Sequence, residues 1–164
     1  MAAQEQQAVY AVDRKLEEDS TIAYALEILE GRLTRRREGN EQFSSPGYAA
    51  DYAKLKLAAL EQEVFLGLFL DSQHRLISAV ELFRGTVNAA SVYPREVVKE
   101  ALRLNASAVI FAHGHPSGMP EPSTADRALT TRLKQALALV DVIVLDHFVV
   151  GEGKPVSFAE RGLL

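Results

Sequence analysis

The sequence contains no cysteine, and this absence removes several chemical classes at once. Without thiols the chain cannot form a disulfide scaffold, a cysteine-liganded zinc or iron–sulfur site, or a cysteine nucleophile. The zinc deaminases that use thiolate ligands are excluded for the same reason. An excess of positive charge is also missing, because 18 Lys and Arg stand against 22 Asp and Glu, a net charge of −4. A basic footprint over the whole surface, such as nucleic-acid-binding domains carry, is therefore absent.

Long apolar runs are absent as well, since no stretch of the sequence reaches the roughly 18 residues that a membrane-spanning helix needs. The first residues, MAAQEQQAVYAV, lack the basic and apolar regions of a secretory signal. We therefore expect a cytoplasmic protein without membrane association. The 164 residues, of which 48% are apolar and 24% charged, suit one compact domain.

The pattern of apolar residues divides the chain into three parts. Residues 1–18 are polar and aperiodic, which predicts a flexible N-terminus. Apolar residues at helical spacing begin after Asp19, where a helix start is predicted. A second helix is predicted from Ser45, because serine followed by proline is typical of a helix N-terminus, and it should run to about residue 61. Residues 19–60 thus form a predicted N-terminal helical segment, and residues 61–164 form the main domain.

The main domain alternates between strand-like and helical patterns in the order β-β-α-β-α-β. Two apolar strands come first, followed by a helix opening at Tyr93, a strand from Ala108, a helix from Thr124 and a strand from Val142. Runs such as VFLGLFL are typical of strands that are buried on both faces. The predicted fold class is α/β, with a mixed β-sheet and flanking helices.

The residues with chemical potential follow the third predicted strand. His113 and His115 leave the end of that strand, where residues i and i+2 point to the same side and both imidazoles can converge. Asp126, in the first turn of the next helix, is placed to return a carboxylate towards them. Two imidazoles, one carboxylate and an open position make a catalytic type of zinc site, in which the pKa of a bound water falls towards about 7.

A structural interpretation of the same residues stays open. The stretch from Ser123 to Asp126 also matches a capping box, in which both side chains serve only the start of their own helix. A His-x-His pair alone is a weak signal, because paired surface histidines are common. The metal hypothesis depends on the combination of strand-end histidines, a loop stiffened by three prolines and a carboxylate within reach.

The string HGHPSG, followed by PS and an aspartate, resembles the JAMM motif of the MPN-type metallopeptidase superfamily, in its RadC-like branch. The resemblance covers roughly residues 60–164, through the blocks LFRGTVNAASVYPREVVKEALRLNASAVIFAHGHPSG, EPSTADRALTTRL, VLDHFVVG and SFAERGLL. It implies an MPN/JAMM fold related to cytidine deaminases, with Zn²⁺ held by His113, His115 and Asp126. Residues 20–60 resemble the short N-terminal region of abbreviated RadC-like proteins.

The JAMM motif also includes an upstream glutamate, which acts on the metal-bound water as general base and later as acid. Glu63, just before the strand VFLGLFL, is preferred for this role over Glu81 in the following strand. The motif serine is Ser123, whose hydroxyl can stabilise a developing oxyanion. Structural alternatives are a helix end for Glu63, a strand-edge charge for Glu81 and a helix cap for Ser123. His147, which follows Asp146 in the RadC-like pattern, is interpreted as a hydrogen-bonded structural histidine.

The leading functional hypothesis is zinc-dependent hydrolysis of an amide bond in a peptide, isopeptide or protein substrate. A second hypothesis follows from the family's association with DNA repair and mobile elements. It is a protein that binds DNA or DNA-processing proteins without turnover, for which only residues 32–37 are locally basic. A third is a metal-bearing scaffold for other proteins. The substrate, the physiological metal and the oligomeric state do not follow from the sequence.

Overall fold

The computed structural model describes residues 2–34, 46–85 and 92–164. The elements follow one another as α1 (Ala2–Thr34), α2 (Pro46–Leu57), β1 (Val64–Leu70), β2 (Leu76–Arg84), α3 (Pro94–Arg103), β3 (Ala108–Gly114), α4 (Thr124–Ala138), β4 (Ile143–Val150) and β5 (Val156–Ser157). From β1 to β4 this is the predicted order, and the short β5 is an addition. The predicted α/β class, a mixed sheet with flanking helices, is confirmed.

The strands form one sheet in the order β2-β1-β3-β4-β5. β1 lies antiparallel to both β2 and β3, whereas β3 and β4 run parallel to each other. Parallel neighbours need a crossover connection, and α4 provides it between β3 and β4. The carboxyl end of β3, with His113, and the start of α4, with Asp126, therefore lie at the same edge of the sheet.

Helices cover both faces of the sheet, and this explains why β1 and β3 are buried along their whole length. On one face α1 and α2 pack against the sheet through a cluster that includes Leu29, Leu33, Tyr52, Leu57, Leu66, Leu68 and Ile110. On the other face α3 and α4 pack through a cluster that includes Phe65, Phe69, Val97, Ala101, Phe111, Leu133 and Leu137. Strands covered in this way have apolar side chains on both faces, as the sequence predicted.

The predicted start of the first helix and the predicted end of the second are wrong. The predicted start of α1 at Asp19 is too late, because α1 begins at Ala2. Ala, Gln and Glu are frequent before Asp19, and their high helix propensity continues the helix where apolar periodicity is lacking. α2 ends at Leu57 rather than near residue 61, since the chain turns there with a bond from Leu60 N to Leu57 O at 3.1 Å.

Some expectations about the N-terminal part lie outside the described residues, and others are not tested by the structure. The predicted N-cap Ser45 and residues 35–37 of the basic segment lie outside the described residues. The flexibility of residues 1–18 and the domain boundary after residue 60 stay predictions. None of the helices in the described part of the chain has both the length and the apolar character needed to cross a bilayer.

A buried tyrosine joins the N-terminal helices to the sheet. Tyr52 on α2 is 0% exposed, and its hydroxyl donates a hydrogen bond to the carboxylate of Glu30 on α1 at 2.5 Å. Burial, together with the adjacent Glu30 carboxylate, raises the pKa of Tyr52, so the phenol remains a donor. The Tyr52 ring belongs to the cluster that covers β1 and β3. The contact of α1 with the domain thus includes one polar bond at the margin of an apolar core.

Replacing Tyr52 by Phe is expected to lower the free energy of unfolding by about 1.5 kcal/mol, since a hydrogen bond to a charged acceptor is lost while the ring still packs. Urea denaturation followed by circular dichroism measures this change. Tyr24→Phe is the matched control, because Tyr24 on α1 is 65% exposed. Equal effects of the two substitutions would contradict the importance of the bond.

Candidate metal centre

Three side chains meet at the edge of the sheet where β3 ends. The Nε2 atoms of His113 and His115 lie 2.9 Å apart. The carboxylate of Asp126 approaches from α4, with Oδ1 3.3 Å from Nε2 of His113 and Oδ2 3.5 Å from Nε2 of His115. Within the described residues these three side chains form a group whose possible ligand atoms all lie within 4.8 Å of one another. The structure therefore brings together the three residues that the sequence indicated as metal ligands.

The distances suit a small divalent cation. Ligands held about 2.0–2.1 Å from a tetrahedral Zn²⁺ lie about 3.3 Å from one another. The shortest separations of the three pairs, 2.9, 3.3 and 3.5 Å, bracket that value, the last two being to different oxygens of Asp126. Two imidazoles and one carboxylate also leave a fourth position for water or substrate, which is the composition of catalytic rather than structural zinc sites. The group fits a metal ion in both spacing and chemistry.

His115 offers a lone pair to this centre. Its Nδ1 lies 2.7 Å from the backbone carbonyl oxygen of Met119. A carbonyl oxygen only accepts, so Nδ1 carries the hydrogen, and the neutral ring presents an unprotonated Nε2 to the other two groups. The Asp126 carboxylate can accept a hydrogen bond from the protonated form of the ring, and this raises the pKa of His115. Partial burial opposes the shift, and the more distant charge of Glu63 adds to it.

Asp126 supplies the negative charge of the centre. Partial burial by itself raises the pKa of this carboxyl, but the adjacent rings of His113 and His115, which can donate to the carboxylate when protonated, outweigh burial and lower the pKa far below its usual range. The group is therefore an ionised carboxylate at neutral pH. It can balance part of the charge of a bound cation, which neutral imidazoles cannot do.

The same carboxylate closes a capping box at the start of α4. Oδ2 of Asp126 accepts from the backbone N of Ser123 at 2.7 Å, and Oγ of Ser123 accepts from the backbone N of Asp126 at 3.1 Å. The two interpretations of this segment are thus compatible, because one carboxylate caps its helix and faces both histidines. Capping also orients the carboxylate, in the way that outer contacts orient metal ligands.

The two glutamates considered as general base occupy different places. Glu63 is half-buried and immediately precedes β1, whose residue Phe65 pairs with His113 on β3. Its charge contributes to the raised pKa of His115. Glu81 is exposed on β2, one strand further from β3, and its carboxylate binds Arg84 at 2.6 Å. The geometry favours Glu63, whose catalytic role stays a prediction.

The loop that carries His115 is tied to the end of β4. The backbone N of His115 donates to the carbonyl of Val150 at 2.8 Å, and the N of Glu152 donates to the carbonyl of Gly118 at 2.7 Å. Gly151 lies so close to this loop that a Cβ added there would be 2.4 Å from the oxygen of Gly118. The absence of a side chain at Gly151 therefore allows the close approach of β4 and the loop.

Behind His113 lies a series of hydrogen-bonded side chains that sequence reasoning did not assign to the site. Nδ1 of His113 lies 2.8 Å from Nε2 of His147, and Nδ1 of His147 lies 2.7 Å from Oγ1 of Thr130. His147 is fully buried, and burial lowers its pKa well below the usual value. The interpretation of His147 as hydrogen-bonded is correct, but its partner is a candidate ligand. The sequence held one signal for Thr130: it follows Asp126 by four residues and so lies on the same helix face as that candidate ligand.

An open cavity of about 350 Å³ adjoins His115 on the side facing α2. Its walls include Lys54, Leu57, Leu60, His115, Ser117 and Glu152. The side chain of Lys54 donates a hydrogen bond to the carbonyl of Gly153, which links α2 to the loop after β4. The cavity gives a polar molecule access to the edge of the candidate centre.

The mixed sheet, the helices on both faces and the His-His-Asp group at the end of β3 define an α/β domain of the JAB/MPN type. The family model described as the RadC-like JAB domain matches residues 43–163. The chain therefore belongs to the RadC-like JAB-domain family of the MPN superfamily. The match begins before α2 and includes that helix.

Curated relatives carry the name UPF0758, which states no activity. One from Methylibium petroleiphilum is 62% identical over 143 residues, covering 87% of this chain and 64% of that protein. One from Vibrio cholerae is 58% identical over 155 residues, covering 94% of this chain and 95% of that protein. One from Stenotrophomonas maltophilia is 57% identical over 145 residues, 88% of this chain and 62% of the relative. The chain thus spans less than two thirds of the first and third relatives.

Gly151→Ala is expected to lower the free energy of unfolding by about 1–3 kcal/mol, because its Cβ would overlap a backbone oxygen and force the loop of His115 away. Gly114→Ala is the matched control between the two histidines, since its Cβ would meet Leu57 at an ordinary 3.6 Å. Urea denaturation of both variants measures the difference. A destabilisation by Gly114→Ala as large as that by Gly151→Ala would contradict this account of the loop.

Proposed function

We propose that this protein is a zinc-dependent hydrolase that cleaves an amide bond in a peptide, isopeptide or protein substrate. The observation that carries the proposal is the convergence of His113, His115 and Asp126 at ligand spacing around one point. Membership of the MPN superfamily, which includes metallopeptidases, supports the same class of reaction. The cavity beside His115 supplies room for a substrate chain.

The roles of the residues follow from their chemistry. His113, His115 and Asp126 would hold the metal. When bound, Zn²⁺ polarises the scissile carbonyl and lowers the pKa of a water at the open position. Glu63 would take a proton from the attacking water as the new C–O bond forms. It would then deliver that proton to the nitrogen of the leaving amine as the C–N bond breaks.

Ser123 can serve the reaction without leaving its helix cap. Its Oγ accepts the hydrogen bond from the backbone N of Asp126, which occupies one lone pair. A hydroxyl keeps one hydrogen to donate beyond its two acceptor positions. Ser123 is exposed, so that hydrogen can be offered to the oxyanion that develops on the scissile carbonyl. The proposed role and the structural role are thus compatible.

The DNA-binding alternative has weaker support and stays a prediction. The net charge is −4. Several basic side chains of the described residues are paired with carboxylates, for example Arg84 with Glu81 and Arg103 with Glu100, each at 2.6 Å. Positive charges neutralised in this way offer little attraction to phosphates.

Metal binding is tested first. The purified protein is expected to bind one Zn²⁺ per chain, and His115→Ala is expected to weaken binding at least 100-fold because one of three ligands is removed. Competition with a chromophoric chelator measures the affinity. His74→Asn is the control, since His74 is an exposed turn residue with φ of 58°, a conformation that Asn tolerates. Binding by His115→Ala equal to that by the unmodified chain would contradict the site.

Hydrolysis is tested next, with a panel of internally quenched peptides and isopeptide-linked substrates. Glu63→Gln is expected to retain Zn²⁺ but to lower the rate by about 10²–10⁴, because a general base is lost. Glu81→Gln is the matched control and is expected to keep the rate. Chelation should abolish cleavage, and added Zn²⁺ should restore it. The proposal is wrong if the zinc-loaded protein cleaves no substrate, and the assignment of the base is wrong if Glu63→Gln remains fully active.

A further inference from the structure

We propose that Thr130 and His147 are positioning residues, which determine the ring nitrogen of His113 that carries hydrogen and so direct an unprotonated Nε2 at the metal centre. The inference rests on the proposed metal site. It concerns residues outside the group of ligands and depends on the direction of three successive hydrogen bonds. Each direction follows from the donors and acceptors that the atoms possess.

The chain of bonds begins at Thr130. Its Oγ1 lies 2.6 Å from the backbone carbonyl oxygen of Asp126 and 2.7 Å from Nδ1 of His147. The carbonyl oxygen can only accept, and a hydroxyl has a single hydrogen, so that hydrogen is donated to Asp126. Towards His147 the Thr130 oxygen must therefore accept. It follows that Nδ1 of His147 carries a hydrogen.

The second step depends on the environment of His147. The ring is fully buried and lies among Phe65, Phe111 and Phe158, with ring centroids 5.3, 6.0 and 4.7 Å away. Three aromatic neighbours give a charged imidazolium little solvation, so the neutral ring is favoured. A neutral ring with hydrogen on Nδ1 has its lone pair on Nε2. That atom can only accept.

The third step reaches the candidate ligand. Nδ1 of His113 lies 2.8 Å from Nε2 of His147, and since Nε2 accepts, Nδ1 of His113 must donate. With hydrogen on Nδ1, the ring of His113 is left with Nε2 as the nitrogen that can bind a metal. This atom faces Nε2 of His115 at 2.9 Å and Oδ1 of Asp126 at 3.3 Å. His113 is 1% exposed, so water has little access to its ring as an alternative hydrogen-bond partner.

The consequence is a centre in which all three groups present lone pairs. The carbonyl of Met119 fixes the hydrogen of His115 on Nδ1. Thr130, acting through His147, fixes the hydrogen of His113 on Nδ1 in the same way. Two lone pairs and a carboxylate this close repel one another unless a cation lies between them. Thr130 also bonds to the backbone of Asp126, so one turn of α4 supplies a ligand and starts the chain that orients another.

The test compares three variants at neighbouring positions of α4. Thr130→Val keeps the shape but removes the hydroxyl, and Thr130→Ser keeps the hydroxyl. Thr131→Val is the matched control, because Oγ1 of Thr131 makes the same type of bond, to the carbonyl of Arg127 at 3.0 Å, at an exposed position. Any general effect of valine on the helix appears in both valine variants.

The first measurement is the ¹⁵N NMR spectrum of the histidine rings in the metal-free protein. His147 of the unmodified chain is expected to carry hydrogen on Nδ1. Thr130→Val should shift His147 towards the form with hydrogen on Nε2, whereas Thr130→Ser and Thr131→Val should not. Hydrogen on Nε2 of His147 in the unmodified chain would overturn the inference, and this measurement needs no variant to fold.

The second measurement is the affinity for Zn²⁺ by chelator competition. Thr130→Val is expected to weaken binding about 10–100-fold, as loss of outer contacts to a ligating histidine does, while the other two variants stay near the unmodified value. Unchanged affinity and unchanged tautomers in Thr130→Val would overturn the inference. If the unmodified chain binds no Zn²⁺, the proposed function fails, and the NMR result on the metal-free protein still decides the roles of Thr130 and His147.

Discussion

The contact of one carboxylate with two imidazoles is the interaction on which the rest of the site depends. Asp126 is the charged member of the group, and its oxygens lie 3.3 and 3.5 Å from the two histidine nitrogens. Its orientation is held by the capping box at the start of α4, so helix formation and site formation use the same hydrogen bonds. This coupling explains how a short segment can supply both a stable helix start and a candidate metal ligand.

The burial of β3 imposes a second constraint. Every residue of this strand is buried, and a histidine at its end needs hydrogen-bond partners from within the protein. His113 finds one at Nδ1, which bonds to His147 on β4 behind it, while its Nε2 faces His115 and Asp126 in front. His147 in turn relies on Thr130. The apolar core therefore explains why the candidate ligand belongs to a continuous set of polar contacts.

The outcome of the sequence predictions depended on the range of the interactions concerned. The buried strands, the order from β1 to β4 and the start of α4 at Thr124 were predictable, because apolar runs and caps are local signals. The start of α1 was misplaced because helix propensity extends the helix through residues that have no apolar periodicity. The end of α2 was misplaced because a tight turn ends the helix earlier than the apolar pattern indicates. Glu63 and Glu81 were hard to separate because one precedes an apolar strand and the other lies within the next strand, and only the strand order places Glu81 further from β3.

By itself the sequence determined that His113 and His115 lie on one side of a strand end, and that Asp126 lies in the first turn of a helix. Those features follow from backbone periodicity over a few residues. Only the tertiary structure decided that the carboxylate turns to the histidines, and that His147 and Thr130 stand behind them. His147 is 34 residues from His113 and 17 from Thr130, and such pairs meet because β4 lies parallel to β3 with α4 as the crossover. Long-range packing of this kind leaves no periodic trace in the sequence.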